Sequence, residues 1–272
     1  FALATAAAFM RGGEPGITFA LENELNLTID SRAFYNGLPV PGSTWALKDL
    51  APGVDKFFNF DNILPKDSGK TTISMHLESR DSSWLCLNFT NLQSNDNGVN
   101  EPESSVDPNG NASGELAEAV EFFAWRDDGD DVFEVGELPF FGTTTQSASV
   151  VLNETTYAIA DFSTGTALPS GTTRHVGMAW CAGDLSVNLA TAQILCDGVS
   201  LGNAAQTDSF SVDVSVQAES SRDKPTFTCA EGDGDGTQRP REERGERGER
   251  DERPERPERP EPPEPGPENN SI

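Results

Sequence analysis

The strongest constraint on the fold of this chain is an alternation of apolar and polar residues with a period of two. In the segment TFALENELNLTID, the side chains of Phe19, Leu21, Leu25, Leu27 and Ile29 share one face, and the residues between most of them are polar. Successive side chains of a β-strand point to opposite faces, so this pattern is typical of a strand with one buried face. The alternation recurs in the segments TTISMHLES, WLCLNFT, HVGMAW and FSVDVSVQ.

Clusters of Gly, Pro, Asn and Asp separate these segments, as in NGLPVPG and LPSGTT, and are typical of turns. The segment SGELAEAVEFFAW differs, because Leu116, Val120 and Phe123 have helical spacing behind a candidate N-cap at Ser113. The pattern predicts an all-β fold, an antiparallel β-sandwich with one short inserted helix.

The end of the chain has a different composition. From Glu231 onward there is almost no apolar residue, and the run REERGERGERDERPERPERPEPPEP repeats Glu, Arg and Pro or Gly. Such a segment buries too little apolar surface to offset the entropy lost on ordering. We therefore predict a disordered, charged C-terminal tail over residues 231–272 and a β-sandwich domain over residues 19–230. Residues 1–18 begin with FALATAAAF, which is typical of the end of a signal segment near its cleavage point.

The charge of the chain excludes several classes of partner. The formal net charge is −26, and residues 1–230 carry 31 acidic against 11 basic side chains. Such a surface repels phosphate backbones and anionic lipids, so we expect no nucleic-acid binding. The negative charge suits a protein whose exterior interacts with cations. A solubilising or salt-adapted surface is the alternative interpretation. The sequence contains no apolar run long enough to span a membrane.

Four cysteines, Cys86, Cys181, Cys196 and Cys229, lack the CxxC spacing of a zinc site. Their even number favours two disulfides, for which three pairings exist. We predict Cys181 with Cys196, at the ends of a hairpin, and Cys86 with Cys229, which would tie the last strand to the body. Free buried thiols are the alternative. Five N-x-S/T sequons agree with the disulfides in predicting a secreted, extracellular protein.

Several stretches together resemble the camelysin/TasA family of secreted proteins. They are AAAFMRGGEPGITFALENELNLTID, FFNFDNILPKDSGKTTISMHLES, the acidic loops WLCLNFTNLQSNDNGVNEPE and WRDDGDDVFEVGE, and the ending SRDKPTFTC. The likeness covers residues 7–229 and departs from the family at MRGGEPG, where members often carry an acidic run. The resemblance implies a jelly-roll-like sandwich, export through a dedicated signal peptidase, and homopolymeric fibres of a biofilm matrix or cell surface. Other matrix proteins or polysaccharide are the further partners that it suggests.

In such fibres the N-terminal segment of one subunit adds as a strand to the next subunit, because an edge strand offers unpaired N–H and C=O groups. The resemblance implies a donor segment within residues 7–18, with Ala8, Phe9 and Met10 as apolar anchors. A frayed terminus is the alternative. The FFNF run places apolar groups on both faces, which favours an edge strand that a neighbouring subunit covers.

The camelysin name also carries a protease activity, which the residues do not support. A zinc protease needs ligands at fixed spacing, usually HExxH on a helix. The two histidines, His76 and His175, lie on different predicted strands about a hundred residues apart. The stretch GVSLG at residues 198–202 matches GxSxG, but a single short motif is weak evidence for a nucleophile. A Ser/His/Asp triad can also be assembled from distant residues. We therefore predict that the protein is not an enzyme.

Two acidic loops, NDNGVNEPESSVD and WRDDGDDVFEVGE, carry the candidate metal ligands. These are Asp96, Glu101, Glu103, Asp127, Asp128, Asp130 and Glu137. Hard oxygen ligands in glycine-bearing loops suit Ca²⁺, but Gly at the third position from Asp127 excludes an EF-hand. The predicted helix between the loops would bring them into one shared calcium site. Plain solvated loops are the alternative, and a catalytic site is a weaker one.

These observations favour a secreted structural protein that forms fibres by strand donation and is stabilised by calcium. The alternative from a different class is a monomeric binding module displayed at a surface. A camelysin-type metalloprotease is a third hypothesis.

Overall fold

Strands form nearly all of the regular structure in the computed structural model, which describes residues 25–48, 56–61, 63–101, 103–106 and 114–229. Thirteen strands lie within these residues: β1 Leu25–Tyr35, β2 Leu38–Pro39, β3 Trp45–Lys48, β4 Lys56–Asp61, β5 Ser68–Ser79, β6 Ser83–Asn95, β7 Val120–Asp127, β8 Gln146–Ser147, β9 Thr155–Ala160, β10 Thr172–Ala182, β11 Asp184–Asn188, β12 Gln193–Asp197 and β13 Ser209–Ser220. Two α-helices of one turn each are also present: α1 Leu116–Ala119 and α2 Ala148–Val151. The 3₁₀ turns are Pro41–Ser43, Glu103–Ser105, Gly198–Ser200 and Asn203–Ala205.

The long strands form two sheets that pair antiparallel throughout. Sheet 1 has the order β2-β1-β5-β10-β7-β8, with β3 also paired to β1, and sheet 2 has the order β4-β13-β6-β9. The long strands alternate between the sheets along the chain: β1, β5, β7 and β10 belong to sheet 1, whereas β4, β6, β9 and β13 belong to sheet 2. The predicted antiparallel β-sandwich is thus confirmed, while its jelly-roll connectivity stays a prediction.

The inner faces of the two sheets bury the alternating apolar residues that the sequence indicates. Among them are Leu27 and Ile29 of β1; Ile73, Met75 and Leu77 of β5; Leu85, Leu87 and Phe89 of β6; Val176, Met178 and Trp180 of β10; and Phe210, Val212, Val214 and Val216 of β13. Phe58 of sheet 2 packs edge-on against Phe122 and Trp180 of sheet 1, with ring centroids 5.5 and 5.3 Å apart. Burying each such side chain stabilises the fold by roughly 1.5–3 kcal/mol.

The predicted helix is reduced to a single turn. Only Leu116–Ala119 is helical, and the following residues form β7, with Val120 and Phe123 in the strand. Phe122 faces the inner core, whereas Phe123 and Trp125 belong to a second apolar cluster. A strand buried on both faces loses the period-two pattern, which is why its sequence has the appearance of a helix. The candidate cap Ser113 lies outside the described residues.

A disulfide-linked hairpin covers this second cluster. Strands β11 and β12 pair with each other, and Leu185 of the hairpin packs with Phe123, Trp125 and Phe133. Cys181 of β10 is bonded to Cys196 of β12, as predicted. The backbone N–H of Leu185 also donates a 2.7 Å hydrogen bond to the Glu121 carboxylate, so the hairpin is attached to β7 as well as to β10.

The segment 221–229, called here the C-terminal segment, covers part of sheet 2 in a similar way. Phe227 and Cys229 pack with Trp84 and Cys86 in a third apolar cluster. The Cys86–Cys229 disulfide joins the segment to β6, which confirms the second predicted pairing. Disulfides persist in oxidising compartments, so these two bonds indicate a protein that folds outside the reducing cytosol.

The two lateral sides of the sandwich are built differently. On one side Arg126 of β7 donates hydrogen bonds of 2.9 and 3.0 Å to the carbonyls of Ala158 and Ile159 on β9, linking sheet 1 to the end of sheet 2. At the opposite end of sheet 2, β4 pairs with β13, and within the described residues no strand pairs with its other side. The FFNF run thus lies at the edge of sheet 2 among the described residues, whereas its coverage by a neighbouring subunit stays a prediction.

All the described residues belong to one unit, Phe1–Asp233. The predicted segments 1–18 and 231–272 lie outside the described residues, so the domain boundaries stay predictions. Where the chain is described, no helix has the length and apolar character to cross a membrane.

Candidate functional site

The acidic loop after β7 is held together by its own backbone. Asp127 is buried, and its carboxylate accepts hydrogen bonds from the Trp125 indole at 3.0 Å and from the Gly129 N–H at 2.7 Å. Asp130 accepts from the N–H of Val132 at 2.8 Å. These short-range bonds offset part of the repulsion between neighbouring carboxylates.

Further groups complete this loop. Glu137 accepts from the N–H groups of Asp128 and Glu134 at 3.1 and 2.8 Å, although burial and then the Asp127 charge raise the pKa of Glu137. Arg32 of β1 forms an ion pair with Asp131. Asp127, Asp128 and Asp130 each place a carboxylate oxygen within 4.8 Å of the other two, but Asp128 and Asp130 are exposed. Solvent exposure of Asp128 and Asp130 and the N–H groups that bind Asp127 and Asp130 together explain how these carboxylates are tolerated without a metal ion.

A second acidic cluster lies at the other end of β7 and is more deeply buried. It consists of Asp96, Glu103 and Asp208, whose carboxylate oxygens lie within 4.8 Å of one another. Glu103 and Asp208 are 0% and 1% exposed. We call these three residues the buried acidic cluster.

Glu103 enters the buried acidic cluster from the 3₁₀ turn Glu103–Ser105. Its Oε2 accepts a 3.3 Å hydrogen bond from the Asn100 N–H and lies 3.3 Å from the Thr207 hydroxyl oxygen. The Thr207 hydroxyl donates its one proton to the Gly98 carbonyl at 2.8 Å, and Thr207 has a φ of +70°, a costly conformation for a β-branched residue. The Glu103 Oε1 atom is buried and has no hydrogen-bond partner among the described residues.

Asp208 has the same arrangement of one bound and one free oxygen. Its Oδ2 accepts from the N–H groups of Glu115 and Leu116 at 2.6 and 3.2 Å, which caps α1. Its buried Oδ1 has no partner within the described chain. Burial raises the pKa of Asp208 to about 6, and the charges of Glu115 and Glu103 add to this effect. A Cβ at Gly114 would lie 2.7 Å from this carboxylate, so a side chain there would displace it.

The structure redistributes the predicted metal ligands. Asp96 and Glu103 meet in the buried acidic cluster, while Glu101 is exposed and belongs to neither cluster. The expected shared site does not form, because Asp208 binds the start of α1 whereas Asp127 ends β7. An eight-residue strand spans roughly 26 Å, so the two clusters are separate.

Sequence reasoning missed Asp208. It stands alone before the strand FSVDVSVQ, 105 residues after Glu103, and no local motif connects the two. Its place just before a strand, where a polar side chain commonly ends a loop, is the one signal that the sequence offers.

The two histidines lie on neighbouring strands of sheet 1. His76 Nε2 lies 2.7 Å from the Asp30 carboxylate, and its Nδ1 lies 3.2 Å from the Thr173 hydroxyl. His175 Nδ1 lies 3.0 Å from the Ser74 hydroxyl. A catalytic hydroxyl would lie at a turn whose free N–H groups can bind an oxyanion, whereas the hydroxyls of Ser74 and Thr173 lie within strands β5 and β10. The contacts therefore resemble cross-strand polar pairs of a sheet.

A cavity of about 590 Å³ lies between the acidic loop and the β11–β12 hairpin. Its lining combines apolar and charged groups, including Trp180, Leu185, Ile194, Lys70 and Asp131. Lys70 donates a 2.9 Å hydrogen bond to the Asp131 carbonyl, which joins the loop to β5.

No protein-family model matches this chain, and no curated protein matches its sequence. The fold and bonds define a disulfide-linked antiparallel β-sandwich that carries two acidic clusters. The resemblance to the camelysin/TasA family stays a prediction from the sequence.

Proposed function

We propose that this protein is a secreted structural subunit that forms extracellular fibres, in which residues 7–18 of one subunit add as a strand to the next. The observation that supports this proposal is the position of β4 at the end of sheet 2, where no strand of the described residues pairs with its outer side. An edge strand presents a row of backbone N–H and C=O groups, which an added strand can pair with.

Contacts of Phe58 attach β4 to the core of the sandwich. Phe58 is buried and stacks on Phe210 of β13 with ring centroids 4.4 Å apart. The register with β13 is regular from Ser209 opposite Asp61 to Val212 opposite Phe58 and continues, after an irregularity, with Asp213 opposite Lys56. An acceptor strand that is already formed loses less conformational entropy when a donor binds, which favours strand addition.

The lengths of the two segments also agree. Six residues of β4 span roughly 20 Å, and residues 7–18 are long enough to cover them as an extended strand. The apolar anchors Ala8, Phe9 and Met10 lie outside the described residues, so their role is part of the proposal.

The fibre proposal assigns no catalytic residue. In the described sheets, His76 and His175 bond to groups on neighbouring strands, and the carboxylates of the acidic loop bind N–H groups of the same loop. Stability of the folded domain, rather than chemistry, is the property that these contacts support. Matrix polysaccharide and other matrix proteins remain the proposed partners of the finished fibre.

Negative-stain electron microscopy of the purified protein tests the proposal. The full chain is expected to form filaments, and a variant that lacks residues 1–18 is expected to remain monomeric. A variant that lacks residues 231–272 is the matched control and should still form filaments. Monomers of the full chain under all conditions would contradict the fibre proposal.

A synthetic peptide of residues 7–18 identifies the acceptor. The peptide should bind the variant that lacks residues 1–18, whereas a peptide of scrambled order should not. With a photo-reactive side chain in place of Phe9, the cross-links should map to β4. Cross-links confined to β9 or to the β11–β12 hairpin would rule out β4 as the acceptor.

A second candidate function is a monomeric binding module displayed at a surface. The cavity between the acidic loop and the β11–β12 hairpin favours it, because a concave site with apolar walls and a few charged groups is typical of ligand pockets. A monomeric full chain whose ligand is lost on substitution of Lys70 would support this function instead.

A further inference from the structure

We propose that the buried acidic cluster of Asp96, Glu103 and Asp208 is a calcium site that fastens the loop after β6 to the start of β13. Nothing in this inference depends on fibre formation, because the three residues lie within one subunit.

The free oxygens of the cluster point to a ligand. Glu103 and Asp208 each use one carboxylate oxygen for N–H donors and leave the other buried without a partner in the described structure. A buried acceptor without a donor costs about 1–3 kcal/mol, and more when it is charged. Native proteins rarely tolerate two such atoms within one cluster unless a further group satisfies them.

The charge of the cluster calls for a cation. Three carboxylates meet here, and no Lys, Arg or His of the described chain forms an ion pair with any of them. Glu115 adds a further negative charge next to Asp208. Burying uncompensated like charges is strongly unfavourable, so either a cation or a proton must neutralise them.

The spacing of the oxygens fits a single ion. Ca²⁺ binds oxygen at 2.3–2.6 Å, so two of its ligands can be at most about 5 Å apart. The three carboxylate oxygens lie within 4.8 Å of one another and meet this condition. Water and loop carbonyls would complete the six to eight ligands that Ca²⁺ takes.

The ligand types select calcium among the common metals. All three side chains are hard oxygen donors, which suit Ca²⁺ or Mg²⁺ rather than zinc or copper. They come from two loops of irregular geometry, and Ca²⁺ accepts such irregular shells whereas Mg²⁺ requires a near-ideal octahedron.

The acidic loop after β7 does not share these properties. Asp127 has hydrogen-bond donors on both carboxylate oxygens, and Asp128 and Asp130 are exposed. That cluster therefore serves as the matched control for the buried one.

Equilibrium dialysis of the full chain against calcium, after removal of divalent ions with a chelator, tests the proposal. This measurement counts bound calcium per subunit whether or not the subunits assemble. Saturable binding in the micromolar to millimolar range is expected, as for other extracellular calcium sites. No binding up to about 5 mM would overturn the proposal.

Two sets of variants locate the ion. Glu103→Gln and Asp208→Asn keep the shape and the Oδ cap of α1, and each should weaken calcium binding about tenfold or more because a charged ligand is lost. The double variant Asp128→Asn with Asp130→Asn should bind as the wild type does. If the control variant loses the ion and the first two keep it, the assignment to the buried acidic cluster is wrong.

Thermal unfolding separates a bound cation from a shared proton. Calcium should raise the Tm of the wild-type protein and of the control variant, and should leave the Tm of Asp208→Asn nearly unchanged. A proton shared by Glu103 and Asp208 predicts no calcium effect on the wild type and a higher Tm for Asp208→Asn in all buffers. That second result would overturn the calcium site.

Discussion

Single carboxylates determine how the segments at the surface of the sandwich are fixed. Asp161, at the end of β9, is 3% exposed and accepts from the Ser163 hydroxyl at 2.7 Å and from the Thr164 N–H at 2.8 Å. Its other oxygen accepts from the N–H of Cys229 at 3.1 Å. Burial opposes ionisation of this group, yet the hydrogen bonds from Ser163, Cys229 and Thr164 outweigh it and lower the pKa of Asp161.

This lowered pKa makes the free energy of unfolding depend on pH in the acid range. A carboxyl with a folded-state pKa below its unfolded value of about 3.9 stabilises the protein above that pH. The stabilisation is lost as the pH falls through the folded-state pKa. Asp161→Asn should therefore cost about 2 kcal/mol at pH 7 and less at pH 3, measured by urea unfolding. The exposed Asp223→Asn is the control, and an equal loss at both pH values would contradict the prediction.

Individual residues also show how far the sequence alone could go. The inner-face residues of β5 and β13 were predictable, because period-two alternation is a local signal. The even number of cysteines indicated two disulfides, whereas their pairing was a choice among three possibilities that the structure decides. The partnership of Glu103 with Asp208 was not, because it arises only after β6 and β13 pair and bring distant loops together. The helix over Val120 and Phe123 was predicted wrongly, since β7 is buried on both faces.

Between whole elements, the most distinctive contact is the Arg126 bridge from β7 to β9. The guanidinium donates to the Ala158 and Ile159 carbonyls and lies 5.3 Å from the Phe140 ring centroid. Burial, with a smaller contribution from the Arg174 charge, lowers the pKa of Arg126, but an arginine remains protonated at neutral pH. The bridge therefore supplies charge-assisted bonds where the two sheets do not pair directly.

Removal of this bridge should be costly. Arg126→Met keeps much of the packing on Phe140 but leaves two carbonyls without donors, so we expect a loss of about 2–3 kcal/mol in the free energy of unfolding. Arg174→Met is the matched control, because Arg174 is exposed and donates to Thr173 of its own strand. Chemical denaturation measures the free energy of unfolding of both variants. Similar losses for Arg126→Met and Arg174→Met would show that the bridge contributes no particular stability.

Across the whole molecule, the two disulfides differ greatly in the loops that they close. Cys86 and Cys229 are 143 residues apart in sequence, whereas Cys181 and Cys196 are 15 apart. The longer loop spans β6 to the C-terminal segment, so this bond joins parts of the chain that fold around most of the domain.

A long cross-link restricts the unfolded chain more than a short one. The loop-entropy relation gives about 5 kcal/mol for the Cys86–Cys229 bond and about 3 kcal/mol for Cys181–Cys196. Replacing the first pair by alanines should thus lower the free energy of unfolding more than replacing the second pair, as measured by guanidinium titration. The opposite order would show that the hairpin packing on β7 outweighs chain entropy.

The unequal sides of the sandwich set the number of connections that each subunit can make in the proposed fibre. Arg126 ties β7 to β9 on one side, and β4 ends sheet 2 at the other, so in the proposed fibre each subunit would contribute β4 as acceptor and residues 7–18 as donor. Units with two unlike ends join head to tail and give an open, directional filament rather than a closed dimer. Such a filament cannot branch through strand donation. A network with elastic strength would therefore require cross-linking molecules that bind the sides of filaments, and the two ends of each filament would grow at different rates.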